Sequence, residues 1–357
     1  MLATEAPSAS AAIIEQIGNQ RRAVDFDTYD ISVQQLIAMV ENSQIDVAPA
    51  YQRQFRWDTT RRSQLVESVL LGVPVPSLFM ATNRDGTWEL VDGVQRLSSL
   101  VQFAGSNEAR ERLSISHPLI LENLEKLSRV NGLTFAELPH SVRLQFGLRP
   151  VKVITLSDKS DPIVRFDLFQ RLNTGGIALT DQDIRACIYR GPFNDFLARV
   201  AQSKDFTQVV RLTDKQKSDG TREECALRFF AYLHRYEKFE HSVVGFLNDY
   251  MKAAGVQFEY DDGQKIFDRT FAYLAQHLPS GIVRRETGRK QTPINLFEAV
   301  SVGAALALLR TSNPPGGKHV AEWIDSEELR KFTTGATNSL QAVKGRIEYC
   351  RKRFLGK

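Results

Sequence analysis

ELVDGVQRLSSL, at residues 89–100, joins a strand-like apolar run to a helical pattern through an Asp-Gly pair. After Gly93, the side chains of Leu97, Leu100 and Val101 lie on one face of the expected helix. A helix that begins directly after a strand has backbone N–H groups without partners in its first turn. These groups, together with the helix dipole, attract anions. The stretch therefore predicts a strand–turn–helix unit with an anion site at the turn.

Four residues of this turn are suited to bind a nucleotide. Gly93 permits a sharp turn and a close approach of a ligand to the backbone. The Arg96 guanidinium can bind a phosphate through two N–H groups, and Gln95 can orient a water or a ribose. Asp92, at the end of the strand, is a candidate ligand of Mg²⁺ and a candidate base for a nucleophilic water. The alternative interpretation is an ordinary Asp-Gly turn with a solvated arginine.

A second stretch, YQRQFRW at residues 51–57, interleaves basic and aromatic side chains. Planar guanidinium groups beside aromatic rings suit contacts with phosphates and bases, and Arg53 and Arg56 supply them here. The alternative is a basic surface loop whose aromatic side chains pack inward.

A third stretch, FQRLNTGG at residues 169–176, ends a helical pattern with an asparagine and two glycines. The backbone N–H groups around Asn173, Gly175 and Gly176 can form a concave site for phosphate oxygens. The alternative is a helix end in the left-handed conformation, which asparagine and glycine also favour.

Strand and helix signals divide the chain near residue 205. Before that point, SLFMATN and TWELVD flank a turn at NRDG, and VKVITLS at residues 151–157 is a further strand. After it, strand signals vanish and amphipathic helices follow one another. We therefore predict an α+β protein in three parts: a flexible arm at 1–24, a domain with a small mixed β-sheet at 25–204, and an all-helical domain at 205–357.

Two helix starts carry the pattern of a capping box, in which a Thr and an acidic residue three positions later cap each other's backbone N–H groups. Thr180 with Asp183 and Thr221 with Glu224 fit this pattern. Both pairs therefore predict where a helix begins.

Composition is that of a globular protein and leaves the chemistry open. The 357 residues include 46 basic and 42 acidic side chains, and the pI is near 8.9, which is compatible with nucleic-acid binding without requiring it. The three cysteines lie far apart and favour neither a disulfide framework nor a zinc site. No apolar run reaches the roughly 18 residues of a membrane span, and no signal peptide is recognisable. We therefore expect a cytoplasmic protein.

Four stretches in this order resemble the N-terminal domain of GmrSD-type restriction proteins, a family of the ParB/sulfiredoxin-like fold. They are PAYQRQFRWD, LVESVLLGVPVPSLFM, ELVDGVQRLSSL and FDLFQRLNTGGIALTDQDIR, and the resemblance covers about residues 30–190. Two later stretches, EECALRFFAYL and INLFEAVSVG, look like the helical extension of stand-alone members. The resemblance implies a nucleotide-binding domain of prokaryotic antiviral defence at residues 25–204.

The family's Asp-Gly-Gln-Gln-Arg motif maps onto residues 92–96, where Val94 replaces the first glutamine. If that glutamine touches the nucleotide or its water, the valine weakens hydrolysis or nicking, while Gln95 and Arg96 retain phosphate binding. The resemblance implies catalytic roles for Asp92, Gln95 and Arg96, with Asp92 also on Mg²⁺. It also implies that Gly93 binds the nucleotide, together with two blocks of the family. The Tyr-Gln-Arg block is here Tyr51, Gln52 and Arg53, with Arg56 after it. The Asn-x-Gly-Gly block is here Asn173, Gly175 and Gly176.

Members of the family use a nucleoside triphosphate to license or drive DNA cleavage. The resemblance therefore implies an NTP-dependent DNA endonuclease or NTPase that requires Mg²⁺ and binds DNA. Many fused members carry an HNH nuclease domain, but its Asp-His pair is not found around His234 or His241. The alternative is a non-cleaving, nucleotide-gated module that binds DNA or a partner and recruits a separate nuclease. A partition-type DNA-binding clamp is a third hypothesis, without a helix-turn-helix pattern to support it.

Two basic stretches, at residues 283–290 and 344–354, are candidate DNA contacts in the helical domain. The alternative is that their Lys and Arg side chains merely complement the C-terminal dipoles of helices.

Overall fold

The computed structural model of the protein describes residues 9–22, 25–47, 57–83, 85–157, 166–167, 169–171, 180–284, 290–335 and 337–357. Its chain forms two units, Met1–Ala178 and Leu179–Lys357. In the described residues, the strands belong to the first unit, and no helix is long and apolar enough to cross a membrane.

The described residues of the first unit include a mixed sheet of five strands. They are β1 (Phe26–Ser32), β2 (Ile45–Asp46), β3 (Leu78–Thr82), β4 (Trp88–Asp92) and β5 (Pro150–Leu156). Their order across the sheet is β1-β5-β3-β4-β2, with β3 parallel to β5 and β2 parallel to β4. The pairs β1–β5 and β3–β4 are antiparallel, so the predicted β3–β4 hairpin and the predicted strand at 151–157 are confirmed.

The α-helices described in the first unit are α1 (Ala9–Arg22), α2 (Val33–Glu41), α3 (Thr59–Leu71), α4 (Val94–Ala104), α5 (Asn107–Arg112) and α6 (His140–Leu148). Helix α3 begins at Asp58, whose Oδ1 accepts a hydrogen bond from the backbone N–H of Arg61 at 2.8 Å. It ends at Gly72, which has the left-handed conformation common at helix C-termini.

Helix α4 buries the apolar face that its sequence predicts. Leu97, Leu100 and Val101 are each at most 1% exposed. At the end of the helix, the ring of Phe103 packs edge-on against Phe135 and Phe146, with centroids 5.4 Å apart in both pairs. Aromatic pairs of this kind add about 0.5–1.5 kcal/mol to the free energy gained by burying their surface. The packing holds α4 in place, and with it the turn that precedes α4.

The structure has a helix where the sequence analysis expects a flexible arm. Helix α1 occupies much of residues 1–24, because the alanine-rich run before Ile13 has high helix propensity. Three isoleucines of this helix, Ile13, Ile14 and Ile17, are exposed. The parts of the predicted arm at residues 1–8 and 23–24 lie outside the described residues.

The described part of the second unit contains helices and no strand, which confirms the predicted all-helical region. Its α-helices are α7 (Asp181–Ile188), α8 (Pro192–Val200), α9 (Lys204–Val209), α10 (Asp214–Ser218), α11 (Thr221–Arg235), α12 (Val243–Val256), α13 (Tyr260–His277), α14 (Ile294–Leu308), α15 (Val320–Trp323), α16 (Glu327–Thr333) and α17 (Leu340–Phe354). Their core is rich in phenylalanine, and the rings of Phe206, Phe229, Phe267 and Phe271 contact one another.

The boundary between the two units lies after Ala178, earlier in the chain than the boundary near residue 205 that was expected from the sequence. Arg185 on α7 is buried and donates from Nε to Asn248 Oδ1 at 2.9 Å and from Nη1 to Glu224 Oε2 at 3.0 Å. These contacts join α7 to α11 and α12, so the helices just after residue 180 pack with the second unit. Composition could not indicate this, because the partners lie far along the chain.

The two predicted capping boxes have different outcomes. The box of Thr180 and Asp183 is confirmed, because each side chain accepts a hydrogen bond from the other residue's backbone N–H at 3.1 Å. The box of Thr221 and Glu224 is wrong, because Gly220 precedes the helix and Thr221 is its first residue. Glu224 instead forms ion pairs with Arg185 and Arg228, which satisfy its partly buried carboxylate.

Candidate functional site

The β4–α4 turn has the strand–turn–helix geometry that its sequence predicts. Asp92 ends β4 and Val94 begins α4, and Gly93 between them has φ +103°. A Cβ at position 93 would also collide with Cδ2 of Leu78 at the start of β3. Glycine is required here both because φ is left-handed and because β3 lies so close to the backbone.

Arg96 and Asp92 are each other's nearest charged partner across this turn. Nη2 of Arg96 lies 2.6 Å from Oδ2 of Asp92, and it also donates to the backbone oxygen of Ser77 at 3.1 Å. The side chains are 17% and 33% exposed, respectively, so solvent reaches both groups. The sequence analysis gives phosphate binding to Arg96 and Mg²⁺ to Asp92, whereas in the structure the two groups neutralise each other.

Arg96 keeps one donor near the turn. Its Nε is buried and has no hydrogen-bond partner among the described residues. A Cβ on Gly93 would lie 3.4 Å from this nitrogen, so Nε lies next to the turn itself. In the described chain no side chain caps the first turn of α4. The guanidinium, the uncapped N–H groups and the helix dipole together favour an anion at this place.

Gln95 connects this turn to Trp57, two residues before α3. Its Oε1 accepts a hydrogen bond from the backbone N–H of Trp57 at 3.1 Å. Its backbone oxygen accepts from Ser99 Oγ at 2.6 Å, one turn further along α4. Trp57 directly follows the basic stretch that ends at Arg56. The contact therefore brings the end of the second predicted nucleotide-binding stretch to the first.

Two arginines that begin α3 are held by their neighbours. The Arg61 guanidinium lies 4.7 Å from the centroid of the Trp57 ring, a cation–π contact. Nη1 of Arg62 donates to Oε1 of Gln102 at 3.0 Å. Desolvation lowers the pKa of Arg62, and the charge of Asp58 partly offsets the effect. Both arginines thus help to fix α3 beside α4.

Val94 is buried, with 8% of its surface exposed. The sequence analysis places position 94 beside the phosphates, because the family motif has a glutamine there. In this chain the side chain packs into the protein, and the position has no polar atom to offer a ligand.

The remaining nucleotide-binding residues inferred from the sequence cannot be located. Tyr51, Gln52, Arg53 and Arg56 lie outside the described residues. The same holds for the Asn-x-Gly-Gly block, that is, Asn173, Gly175 and Gly176. Their roles remain predictions.

Glu89 is a buried acidic residue of this region that sequence reasoning missed. It lies on β4, opposite Ala81 of β3 and Asp46 of β2, and is 0% exposed. A charged side chain inside a sheet requires compensating polar contacts and is uncommon outside functional or structural networks. The sequence offers no signal for its burial, since glutamate in a short strand is more often on the solvent face.

A Mg²⁺ site formed by the protein alone is not supported by the described residues. No group of three or more His, Cys, Asp or Glu side chains among them is arranged to hold a metal ion. Asp92 offers one carboxylate at the turn, already paired with Arg96. Mg²⁺ is often bound by one or two carboxylates together with the phosphates of a nucleotide. Asp92 fits that mode of binding and does not fit a dedicated protein site.

The two predicted basic stretches of the second unit are only partly on the surface. Arg284 is buried and donates from Nη2 to Thr333 Oγ1 at 2.5 Å. Arg346 is buried and donates to the carboxylate of Glu298. Lys344, Lys352 and Arg353 are exposed, whereas residues 285–289 lie outside the described residues.

Comparisons with known proteins give one family match, at residues 33–190, to the model described as "GmrSD restriction endonuclease, N-terminal domain". No curated protein matches the chain. A solved structure described as "Structure of the C2221 form of Pnob8-like ParB-N domain" is 11% identical. That alignment covers 93% of this chain and 98% of the other, with a TM-score of 0.23, which is too low to support an argument about the fold.

Proposed function

Residues 33–190 belong to the GmrSD restriction endonuclease N-terminal domain family, and on this premise we propose that the protein binds a nucleoside triphosphate at the β4–α4 turn to license DNA cleavage. The family implies a restriction- or defence-type function. The nucleotide, its hydrolysis and the nicking of DNA are our proposal. The observation that carries it is the buried Nε of Arg96, without a partner in the described chain, beside the uncapped start of α4.

Phosphate binding at this turn acts on an existing ion pair. The Arg96 guanidinium is oriented by Asp92 and by the backbone oxygen of Ser77. A phosphate at the start of α4 competes with Asp92 for the same cation, because both are anions and a guanidinium prefers two parallel hydrogen bonds to one acceptor. Nucleotide binding therefore frees the Asp92 carboxylate from its ion pair with Arg96.

The released carboxylate has two roles consistent with its position. Asp92 accepts a proton from a water near the phosphates, or it holds the Mg²⁺ that accompanies a nucleoside triphosphate. When bound, the ion supplies positive charge that stabilises charge developing on the phosphoryl oxygens. Gln95 holds Trp57 at the same turn by accepting a hydrogen bond from its backbone N–H.

The test combines binding, hydrolysis and cleavage in one preparation of the full chain. Purified protein is incubated with supercoiled plasmid, Mg²⁺ and each of the four nucleoside triphosphates, and both nicking and phosphate release are measured. We expect at least one triphosphate to support phosphate release that depends on Asp92 and Arg96. Measurable phosphate release that is equal in the wild type and in Arg96→Ala would overturn the proposed site.

A second candidate function is supported by the burial of Val94. A valine packed into the protein offers no polar group to a nucleotide or its water. The protein would then bind the nucleotide without turning it over, and the bound state would recruit a separate nuclease to DNA. Tight nucleotide binding in titration calorimetry, with neither phosphate release nor nicking in the experiment above, would favour this candidate over the first.

A further inference from the structure

A cavity of about 780 Å³ opens in the second unit. Its lining comes from the end of α11, the end of α12, the start of α13 and the end of α14, with Arg235, Ala254, Phe258, Ile266 and Leu308 among the residues. Sites for small molecules typically have volumes of about 300–1,000 Å³ and combine apolar walls with a few polar groups. The cavity has the size and the mixed lining of such a site.

Phe258 forms a rigid aromatic wall of this cavity. Its ring packs against Phe193, Phe196 and Phe230, with centroids 4.7, 5.2 and 5.4 Å away. Since these rings belong to the buried core, Phe258 has little freedom to rotate away. A fixed ring at the edge of a cavity is a platform on which a planar ligand can stack.

Gly263 makes room for this ring. A Cβ at position 263 would lie 2.7 Å from both Cε1 and Cζ of Phe258, so no larger residue fits without moving the ring. Glycine inside helix α13 is less favourable for the helix than alanine would be. The glycine therefore permits the close packing of Phe258 against the helix, at a cost in helix stability.

Arg235 supplies a positive charge at the same cavity. Its guanidinium lies 5.4 Å from the centroid of the Tyr250 ring, and it makes no ion pair within the described chain. Lys265, also in the lining, is paired with Asp262 at 3.4 Å. An arginine held by an aromatic ring and not by a carboxylate keeps its hydrogen-bond donors available for an anion.

Tyr250 and His234 line the cavity together with Arg235. Nδ1 of His234 and the hydroxyl of Tyr250 are 2.7 Å apart. Desolvation, and then the charge of Arg235, lowers the pKa of His234, so the imidazole is neutral at pH 7. Arg235 is thus the charged group of this trio.

We propose that the cavity binds a small molecule in which a planar aromatic ring carries an anionic group, as in a nucleoside monophosphate. The ring stacks on Phe258 and the anionic group pairs with Arg235. This site is separate from the β4–α4 turn and does not depend on the function proposed for that turn.

The rim favours a free mononucleotide over a nucleic-acid strand. Glu259 and Asp262 are exposed and also line the cavity. Asp262 is already paired with Lys265, so it is the Glu259 carboxylate that repels the additional phosphates of a strand, whereas a mononucleotide carries no phosphate beyond the one that pairs with Arg235. The occupant that we expect is therefore a mononucleotide.

The test uses the full chain carrying Arg96→Ala, which weakens the proposed site at the β4–α4 turn, alongside the wild type. AMP, GMP, CMP and UMP are titrated by calorimetry, together with the matching nucleosides, ribose 5-phosphate and a short single-stranded DNA. We expect at least one monophosphate to bind both proteins equally, and at least tenfold more tightly than its nucleoside or ribose 5-phosphate. No monophosphate binding in either protein, or tighter binding of the DNA, would overturn the proposal.

Arg235→Gln tests the charge, and Arg199→Gln is its matched control. Arg199 on α8 also lies over an aromatic ring, 5.4 Å from the centroid of Phe196, but it does not line the cavity. Loss of a charge-assisted contact with a phosphate should weaken binding about ten- to a hundred-fold in Arg235→Gln. Equal affinities in the two variants would contradict the proposal.

Gly263→Ala tests the aromatic wall without removing any side chain from the lining of the cavity. The added methyl group displaces the Phe258 ring, so we expect weaker binding of the monophosphate and little change for ribose 5-phosphate. If this variant does not fold, Phe258→Leu removes the ring but keeps an apolar side chain. Unchanged monophosphate affinity in the variant that folds would exclude stacking on Phe258.

Discussion

Arg96 donates from Nη2 to Oδ2 of Asp92 at 2.6 Å, and this ion pair spans the glycine at which β4 turns into α4. The two residues are four positions apart, yet the strand–turn–helix geometry rather than a helical turn brings them together. An anion that enters the turn must compete with Asp92 for the guanidinium. We therefore expect Arg96 to strengthen nucleotide binding and Asp92 to weaken it.

Substitution of these two residues should change nucleotide affinity in opposite directions. Arg96→Ala removes a charge-assisted hydrogen bond to phosphate worth about 1.5–3 kcal/mol, so affinity should fall roughly ten- to a hundred-fold. Asp92→Asn removes the competing anion, so affinity should rise. Titration calorimetry in EDTA measures both effects without a contribution from Mg²⁺. A fall in affinity in Asp92→Asn under these conditions would show that Asp92 contacts the nucleotide directly.

Val94→Gln distinguishes the two interpretations of position 94. Because Val94 is buried, we expect the amide to lower the free energy of unfolding by about 1–3 kcal/mol, without raising the rate of NTP hydrolysis. Val94→Thr is the matched control, since it has nearly the same shape with one polar atom. Urea unfolding and phosphate release are the measurements. A rise in hydrolysis at unchanged stability would instead place the side chain at position 94 beside the nucleotide.

Glu298 should be essential for the stability of the second unit. Its carboxylate is buried between two arginines, accepting from Nη1 of Arg228 at 2.6 Å and from Nη2 of Arg346. Glu298→Gln leaves both guanidinium groups without that counter-charge in the interior, and breaking such a buried pair typically costs about 3–5 kcal/mol. We expect a loss of this size in urea unfolding of the full chain.

The control for Glu298 is the exposed ion pair of Lys217 and Asp214, whose charged atoms are 2.8 Å apart. Asp214→Asn should leave the unfolding midpoint unchanged, because solvent screens an exposed pair. If Glu298→Gln proved no more destabilising than Asp214→Asn, the buried network would not be a determinant of stability.

Neutralising the exposed cations of α17 should weaken DNA binding in a salt-dependent way. Lys344, Lys352 and Arg353 are exposed, whereas Arg346 of the same helix is buried. If the three contact phosphates, replacing all of them with glutamine should reduce the slope of log affinity against log salt by about 2.7, or about 0.9 for each contact. Fluorescence anisotropy with a DNA duplex over a salt series measures this slope.

A second triple variant, at Lys204, Lys238 and Lys252, removes the same amount of charge from exposed positions on other elements of the second unit. Its slope should stay close to that of the wild type. Equal reductions in the two variants would indicate a general effect of net charge, and unchanged slopes in both would place the DNA surface elsewhere in the chain.

The sequence by itself determined the elements whose signals are local. The β3–β4 hairpin, the Asp-Gly turn before α4 and the capping box of Thr180 depend on residues that are close together along the chain. Strand alternation, a glycine at positive φ and a helical apolar face can each be recognised in a short window. The family resemblance rested on the same stretches, and the match of the family model to residues 33–190 confirms it.

Only the tertiary structure decided which charged groups meet and which side chains are buried. Glu224 fits a capping box in the sequence, but folding places it beside Arg185 and Arg228, where ion pairs satisfy its partly buried carboxylate. Val94 occupies a motif position that the sequence assigns to ligand contact, but packing buries it. The physical reason is that burial and ion pairing depend on partners distant along the chain, which local propensity cannot specify.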